Sequence, residues 1–251
     1  MSDKYIPRPL FFTPSKSIAP NLRTWAELRK QIKSDAYGQT WTKLLAQAQR
    51  DLETEELTPS SMFPGRLPEQ AAHANRDYTI CTAVGQRILR NALVFKVTGD
   101  KAHKACALKQ IYSLFDTSQW PEWRDQAHVC QQNPADLRTG MLSSDVGIAY
   151  NWLRSSLTPK ERQRIVDGID QCGIQRFLDS LPRKPFWLDR PTNWQTCVVG
   201  GLGICGMALG KDHPKSKFLI ELSREKMDSY QQIFGPEGEF NESPAYAGAV
   251  G

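Results

Sequence analysis

The sequence predicts an all-α fold. Apolar residues recur at helical spacing in segment after segment, and Pro, Gly, Asp and Ser cluster in the gaps. No alternating apolar–polar run exceeds about five residues, so no strand–turn–strand signal arises. The 251 residues can bury a sizeable core in one large domain or two small ones.

Residues 21–33 and 36–52 read as two opening helices, the second carrying Trp41, Leu44, Leu45 and Ala48 on one face. Residues 57–68 hold Pro59, Pro64, Gly65 and Pro68 and read as a loop. From 76 to 97 a stripe of Ile80, Val84 and Ile88, with Leu89, Ala92 and Leu93 beside it, predicts a helix that stops at Thr98-Gly99-Asp100. Gly99 suits a helix C-cap. Residues 101–115 form the next helix, followed by the loop TSQWPEWRDQ. Residues 140–157 place Val146, Ala149, Tyr150 and Leu153 at i, i+3, i+4 and i+7. Thr158, Pro159 and Glu161 then supply an N-cap, a first-turn proline and a capping-box acid for a helix running to about Leu181. Further helices are expected over 193–209 and 216–234. The chain shows no fixed-period repeat, only a succession of helix pairs.

The net charge of +5 is compatible with an anionic partner but too weak to single out nucleic acid, so none is expected. No apolar run approaches the ~20 residues that span a bilayer, and no membrane partner is expected. The N-terminus MSDKYIPRPLFFTPSK has no apolar signal region, which favours a cytoplasmic location, with the periplasm as the alternative. The six cysteines are scattered, with no C-x-x-C pair and no zinc-type spacing. Buried free thiols are therefore expected, and no metal or other cofactor.

Gly201-Leu-Gly203-Ile-Cys-Gly206 spells G-x-G-x-x-G behind the apolar run TCVV. A dinucleotide-binding turn needs a strand before it and a long helix after it. Here His213-Pro214 closes the following segment too early, and no β/α alternation surrounds it. The other reading is a helix whose glycines admit a close neighbour. Each glycine costs about 0.5–1 kcal/mol in a helix interior, so their density requires a packing reason.

Four stretches together resemble the heparinase II/III-like polysaccharide lyases, which include many alginate lyases. These are PRPLFFT (7–13) with LRKQIKSD (28–35), DVGIAYNWLRSSLTPKERQRI (145–165), TNWQTCVVGGLGICGMAL (192–209) and FGPEGEFNESPAYAGAVG (234–251). The matches lie in order along nearly the whole chain. The resemblance implies an incomplete (α/α) toroid over residues 1–251, truncated at its C-terminal end, without the usual β-sandwich. It also implies β-elimination on a uronic-acid polysaccharide or oligosaccharide, alginate-like chains being favoured.

By that resemblance, Asn193 holds the substrate carboxylate and Tyr246, 53 positions on, acts as the acid and often as the base. A neutral amide can donate to a carboxylate without bringing a full charge. A phenol with a free pKa of about 10 needs nearby cations or substrate-linked proton transfer to serve as a base. Asn193 is equally readable as a helix N-cap, with Thr192 as competitor. Arg138 could grip a uronate carboxylate as a bidentate fork or be a solvated surface residue. Glu242, with Glu237 and Glu239, surrounds Tyr246 and could orient it or simply charge a helix end. Trp194 and Gln195 flank Asn193 and are candidates for substrate contact, with Trp194 also expected to pack beneath it. Trp120, Trp123 and Trp187 lie in loop-like stretches, as core or as sugar-stacking surfaces. Of the four histidines, His73 is the best candidate for substrate contact; His103, His128 and His213 are weaker. Two other functions stay open: a carbohydrate-binding toroid without catalysis, and a toroid glycoside hydrolase, which needs two carboxylates about 5–9.5 Å apart.

Overall fold

The computed structural model describes residues 25–61, 76–125, 128 and 132–235. They are mostly helical, with no strand among them. The elements in order are α1 (Trp25–Gln31), α2 (Asp35–Leu52), α3 (Arg76–Thr98), α4 (Lys101–Leu114), α5 (Leu137–Leu153), α6 (Pro159–Ile169), α7 (Gln175–Ser180), α8 (Phe186–Asp189), α9 (Asn193–Gln195), α10 (Gly201–Leu209) and α11 (Ser216–Gln231). A π turn, Asp170–Ile174, joins α6 to α7, and a second, Thr196–Gly200, joins α9 to α10.

Local sequence explains most of the boundaries. Gly99 takes φ +81° after α3, a left-handed value that glycine tolerates without a Cβ penalty. The Thr158 hydroxyl accepts from the Glu161 amide, the Glu161 carboxylate accepts from the Thr158 amide, and Pro159 opens the helix. α5 begins three residues before the expected Gly140, because Asp136 and Thr139 form a capping box there. It ends at Leu153 in a 3-10 turn, Arg154–Ser156, rather than at 157. α8, which follows Pro185, is too short to show a periodic pattern.

Pairwise contacts reveal how the helices are stacked. Tyr78 meets Arg138 and Gly85 meets Asp145, both pairs offset by 60 positions, so α3 and α5 run parallel. Gly140 abuts Cys197 and Gly201, Gly147 abuts Cys205 and Ala208, and Tyr150 bonds Asp212, so α5 and α9–α10 are parallel too. Between these and their sequence neighbours the numbering runs in opposite directions. Arg87 meets Cys106 while Asn91 meets His103 across α3–α4. Gly203 meets Ser223 while Gly206 meets Leu219 across α10–α11. α3, α5 and α9–α10 therefore make one parallel layer, and α4, α6–α7 and α11 return along a second.

The core lies between the two layers. The predicted stripe Val146, Ala149, Tyr150 and Leu153 is fully buried, as are Val84, Ile88, Ile111, Ile165 and Leu202. Trp120, Trp123 and Trp187 are all buried, which settles them as core rather than sugar platforms. The glycine-rich segment is helical. A Cβ on Gly201 would come within 2.5 Å of the Gly140 carbonyl oxygen, and one on Gly140 would run into the Cys197 carbonyl. The glycines let α5 and α9–α10 touch backbone to backbone, and no strand enters a phosphate-cradling turn. The described cysteines are all free thiols. Burial pushes Cys81 and Cys205 up to about 12.

A polar network ties α2 to α3 and α4. The Asp51 carboxylate accepts from Arg90 Nε at 2.8 Å, Arg90 Nη2 at 3.0 Å and Asn91 Nδ2 at 2.8 Å. Asn91 Oδ1 in turn meets His103 Nδ1 at 2.8 Å. The Arg87 guanidinium donates to the carbonyls of Asp51, Thr54 and Glu55. His103 is thus a buried structural residue. His213 is another, with Nε2 2.9 Å from Asp170 Oδ1. Among the described residues, no helix is long and apolar enough to cross a membrane.

Candidate active site

Because α3, α5 and α9 are parallel, their N-terminal ends lie at one end of the layer. That end carries Tyr78, Arg138 and Asn193–Trp194, and residues 123–125, 128 and 132–136 pack into it. Unsatisfied amides and aligned peptide dipoles make helix N-termini favourable places for an anion.

A chain of side-chain contacts crosses all three helices there. The Arg138 guanidinium lies 4.8 Å from the Tyr78 ring centroid, and its Nη2 is 3.4 Å from Asp125 Oδ2. Arg138 Nη1 lies 2.8 Å from Met141 Sδ. Asp136 accepts from the Arg138 amide through Oδ1 at 2.8 Å and from the Asp125 amide through Oδ2 at 2.7 Å. Thr139 locks the loop by donating to the Trp123 carbonyl at 2.6 Å. His128 Nδ1 sits 3.3 Å from Asp136 Oδ2 and 3.8 Å from Asp125 Oδ2. The imidazole packs on Trp194 with centroids 4.5 Å apart, and Trp194 packs on Phe186 at 5.0 Å.

Each feature has a physical cause. Asp125 and Asp136 are almost wholly buried. Desolvation raises the Asp136 carboxyl above its ordinary range, and the Asp125 and Arg138 amides and His128 partly offset it. His128 Nδ1 faces both carboxylates, and the side chain is 22% exposed. A histidine braced by a carboxylate keeps one tautomer and one orientation, which a general base requires. π turns recur at functional sites, and Thr196–Gly200 directly follows the Asn193–Gln195 turn.

The residues singled out in the sequence fare differently. Asn193 opens α9 as its first residue, and Thr192 is the N-cap; the Thr192 hydroxyl makes no capping bond. Arg138 is buried, 3% exposed, which corrects the surface alternative. Its fork already faces Asp125 and Met141, so it braces the loop. Trp194 is partly buried and packs against the core as expected. Gln195 is buried, with Nε2 donating to the Leu188 carbonyl at 2.8 Å. Its amide points inward and ties α9 to α8. Tyr246, Glu242 and His73 lie outside the described residues, as do Glu237 and Glu239. The sequence reading ranks His128 below His73 and does not single out Asp125, Asp136 or Tyr78. The Asp125/His128 spacing and the Asp136–Thr139 cap are the signals that could have found them. Among the described residues, no group of three or more His, Cys, Asp or Glu is arranged to hold a metal ion.

No protein-family model matches the chain, and no curated protein matches it either.

Proposed function

We propose that this chain is a polysaccharide lyase of the (α/α)-toroid kind that cleaves a uronic-acid polymer, alginate-like chains being favoured, by β-elimination. The observation that carries the reading is one cluster: a carboxylate-braced histidine, an aromatic face and the Asn193 turn meet where three parallel helices begin. The fourfold resemblance of the sequence to heparinase II/III-like lyases supplies the reaction class.

In this reading the Asn193 amide receives the substrate carboxylate and stabilises the charge that spreads into it as the C5 proton leaves. His128 Nε2 takes that proton. The electron pair of the C5–H bond becomes the C4–C5 double bond, and the C4–O bond breaks. Tyr246 gives its proton to the departing oxygen and recovers one from solvent. No oxidation or reduction occurs. The π turn and the Gln195–Leu188 bond hold the Asn193 turn in place.

The test is a panel of alginate, heparin, hyaluronan and pectate, read by the ultraviolet absorbance of the unsaturated product. His128→Asn and Tyr246→Phe should each lower kcat by roughly 10²–10⁴, the usual worth of a positioned proton-transfer group, and Asn193→Ala by roughly 10²–10³, the worth of one charge-stabilising donor. A substrate that binds but never yields the double bond would leave a carbohydrate-binding module. Cleavage without a new double bond would point to hydrolysis.

A further inference from the structure

Beside the cluster lies a cavity of about 670 Å³ lined by Gln132, Asn133, Arg183, Lys184, Phe186 and Arg190. Its wall holds three cations and no acid. Among the described residues, no carboxylate pairs with Arg183, Lys184 or Arg190, and the neighbouring Asp189 is taken by Lys226 at 3.2 Å. Phe186 lines the groove and packs its ring on Trp194 of the cluster.

The backbone reinforces the point. Gln132 (φ 55°) and Lys184 (φ 49°) are the non-glycine residues with positive φ among the described residues, and both line this groove. The left-handed region is unfavourable for residues with a Cβ, and strain of this kind concentrates at ligand sites. Glycine would relax position 184, yet the chain carries a lysine there. The two strained walls are stapled together, Arg183 Nη1 donating to the Gln132 carbonyl at 2.8 Å. Arg124 Nη1 holds the adjacent Asn133 carbonyl at 3.2 Å.

We infer that this groove is a subsite for a second acidic sugar of the same chain that enters the candidate active site. The charge of the groove stands alone; the assignment of a sugar rests on the function proposed above. Guanidinium and ammonium groups take the carboxylate, the Gln132 and Asn133 amides take ring hydroxyls, and Phe186 faces the apolar side of a pyranose. The cations are exposed, so their contribution is salt-sensitive.

Calorimetric titration of the full chain with an alginate hexasaccharide, an uncharged cello-hexaose and a DNA oligomer of matching charge tests this. Lys184→Glu with Arg190→Glu should weaken hexasaccharide binding tenfold or more at low salt and raise KM for polymer by a similar factor. Lys184→Gly should raise the melting temperature while weakening the hexasaccharide, a combination that a merely structural lysine would not give. Unchanged hexasaccharide affinity in both variants overturns the subsite, as does equal binding of DNA, which would mark an unselective polyanion patch. Product formed at unchanged KM in the double variant sinks the subsite and leaves the lyase standing. Lys184-dependent binding with no double bond formed sinks the lyase and leaves the subsite.

Discussion

Asp145 sits on α5 against Gly85 of α3, so close that a Cβ on Gly85 would overlap its carboxylate. It makes no hydrogen bond or ion pair with the described residues, and burial raises its pKa from 3.8 to about 7. The folded state thus binds this proton more tightly than the unfolded chain does. Below about pH 4 both forms are protonated and nothing is lost. As pH rises from there to about 7 the unfolded chain ionises first, stability falls, and the full penalty holds above 7. Asp145→Asn should therefore stabilise the protein by roughly 2–4 kcal/mol at pH 8. The gain should shrink toward zero near pH 4, as measured by urea melts across that range. A gain independent of pH would show that repacking, not charge, is responsible. The buried thiols Cys81 and Cys205, both pushed up to about 12, should resist alkylation at pH 8 until the protein is unfolded, since only the thiolate reacts. Mass spectrometry of native and denatured samples reads this directly. At this scale the sequence is a partial guide. Cys81 and Cys205 were legible because apolar neighbours surround them. Arg138 was not, because its partner Asp125 arrives from a loop whose path depends on the tertiary fold.

Helix contacts decide the sign of glycine substitutions. Gly38 in α2 has only the Ile32 carbonyl oxygen at 3.6 Å from an added Cβ, so Gly38→Ala should stabilise by about 0.5–1 kcal/mol. Gly140→Ala gains the same propensity but drives its methyl into the Cys197 carbonyl. The net result should be a loss of about 1–3 kcal/mol, since backbone cannot move aside as a side chain can. Denaturant midpoints of the two variants should shift in opposite directions. The start of α6 was readable because Thr158, Pro159 and Glu161 settle it among themselves. The glycine-rich helix was readable because its cost demanded a close neighbour. The π turns were not: a widened turn is stabilised by what packs around it, and no residue type marks it.

The two-layer arrangement depends on contacts far apart in sequence. Asp51 is the clearest of them, since one carboxylate serves Arg90 and Asn91 while its carbonyl holds Arg87. Asp51→Ala leaves the buried Asn91 amide and the largely buried Arg90 guanidinium without their carboxylate, while Arg87 keeps the backbone carbonyl, and should cost about 3–5 kcal/mol in thermal or urea unfolding. Helix order and length could be read from periodicity, but the layering could not. Nothing local states that α3 and α5 meet at an offset of 60 positions, or that three helix starts share an end. The π turn at Thr196–Gly200 acts as a one-residue shim between the glycine-rich helix and the Asn193–Gln195 turn. Deleting a residue there would restore an ordinary α-helical winding. The Asn193–Gln195 turn just before it would swing by about 100° around the helix axis and draw in by about 1.5 Å. Trp194 would then leave the face of His128, and Asn193 would aim elsewhere, while the glycine seam below stayed seated. Such a variant should keep its helical circular dichroism and, on the function proposed above, lose turnover, separating how the Asn193 amide is aimed from how the protein is held together.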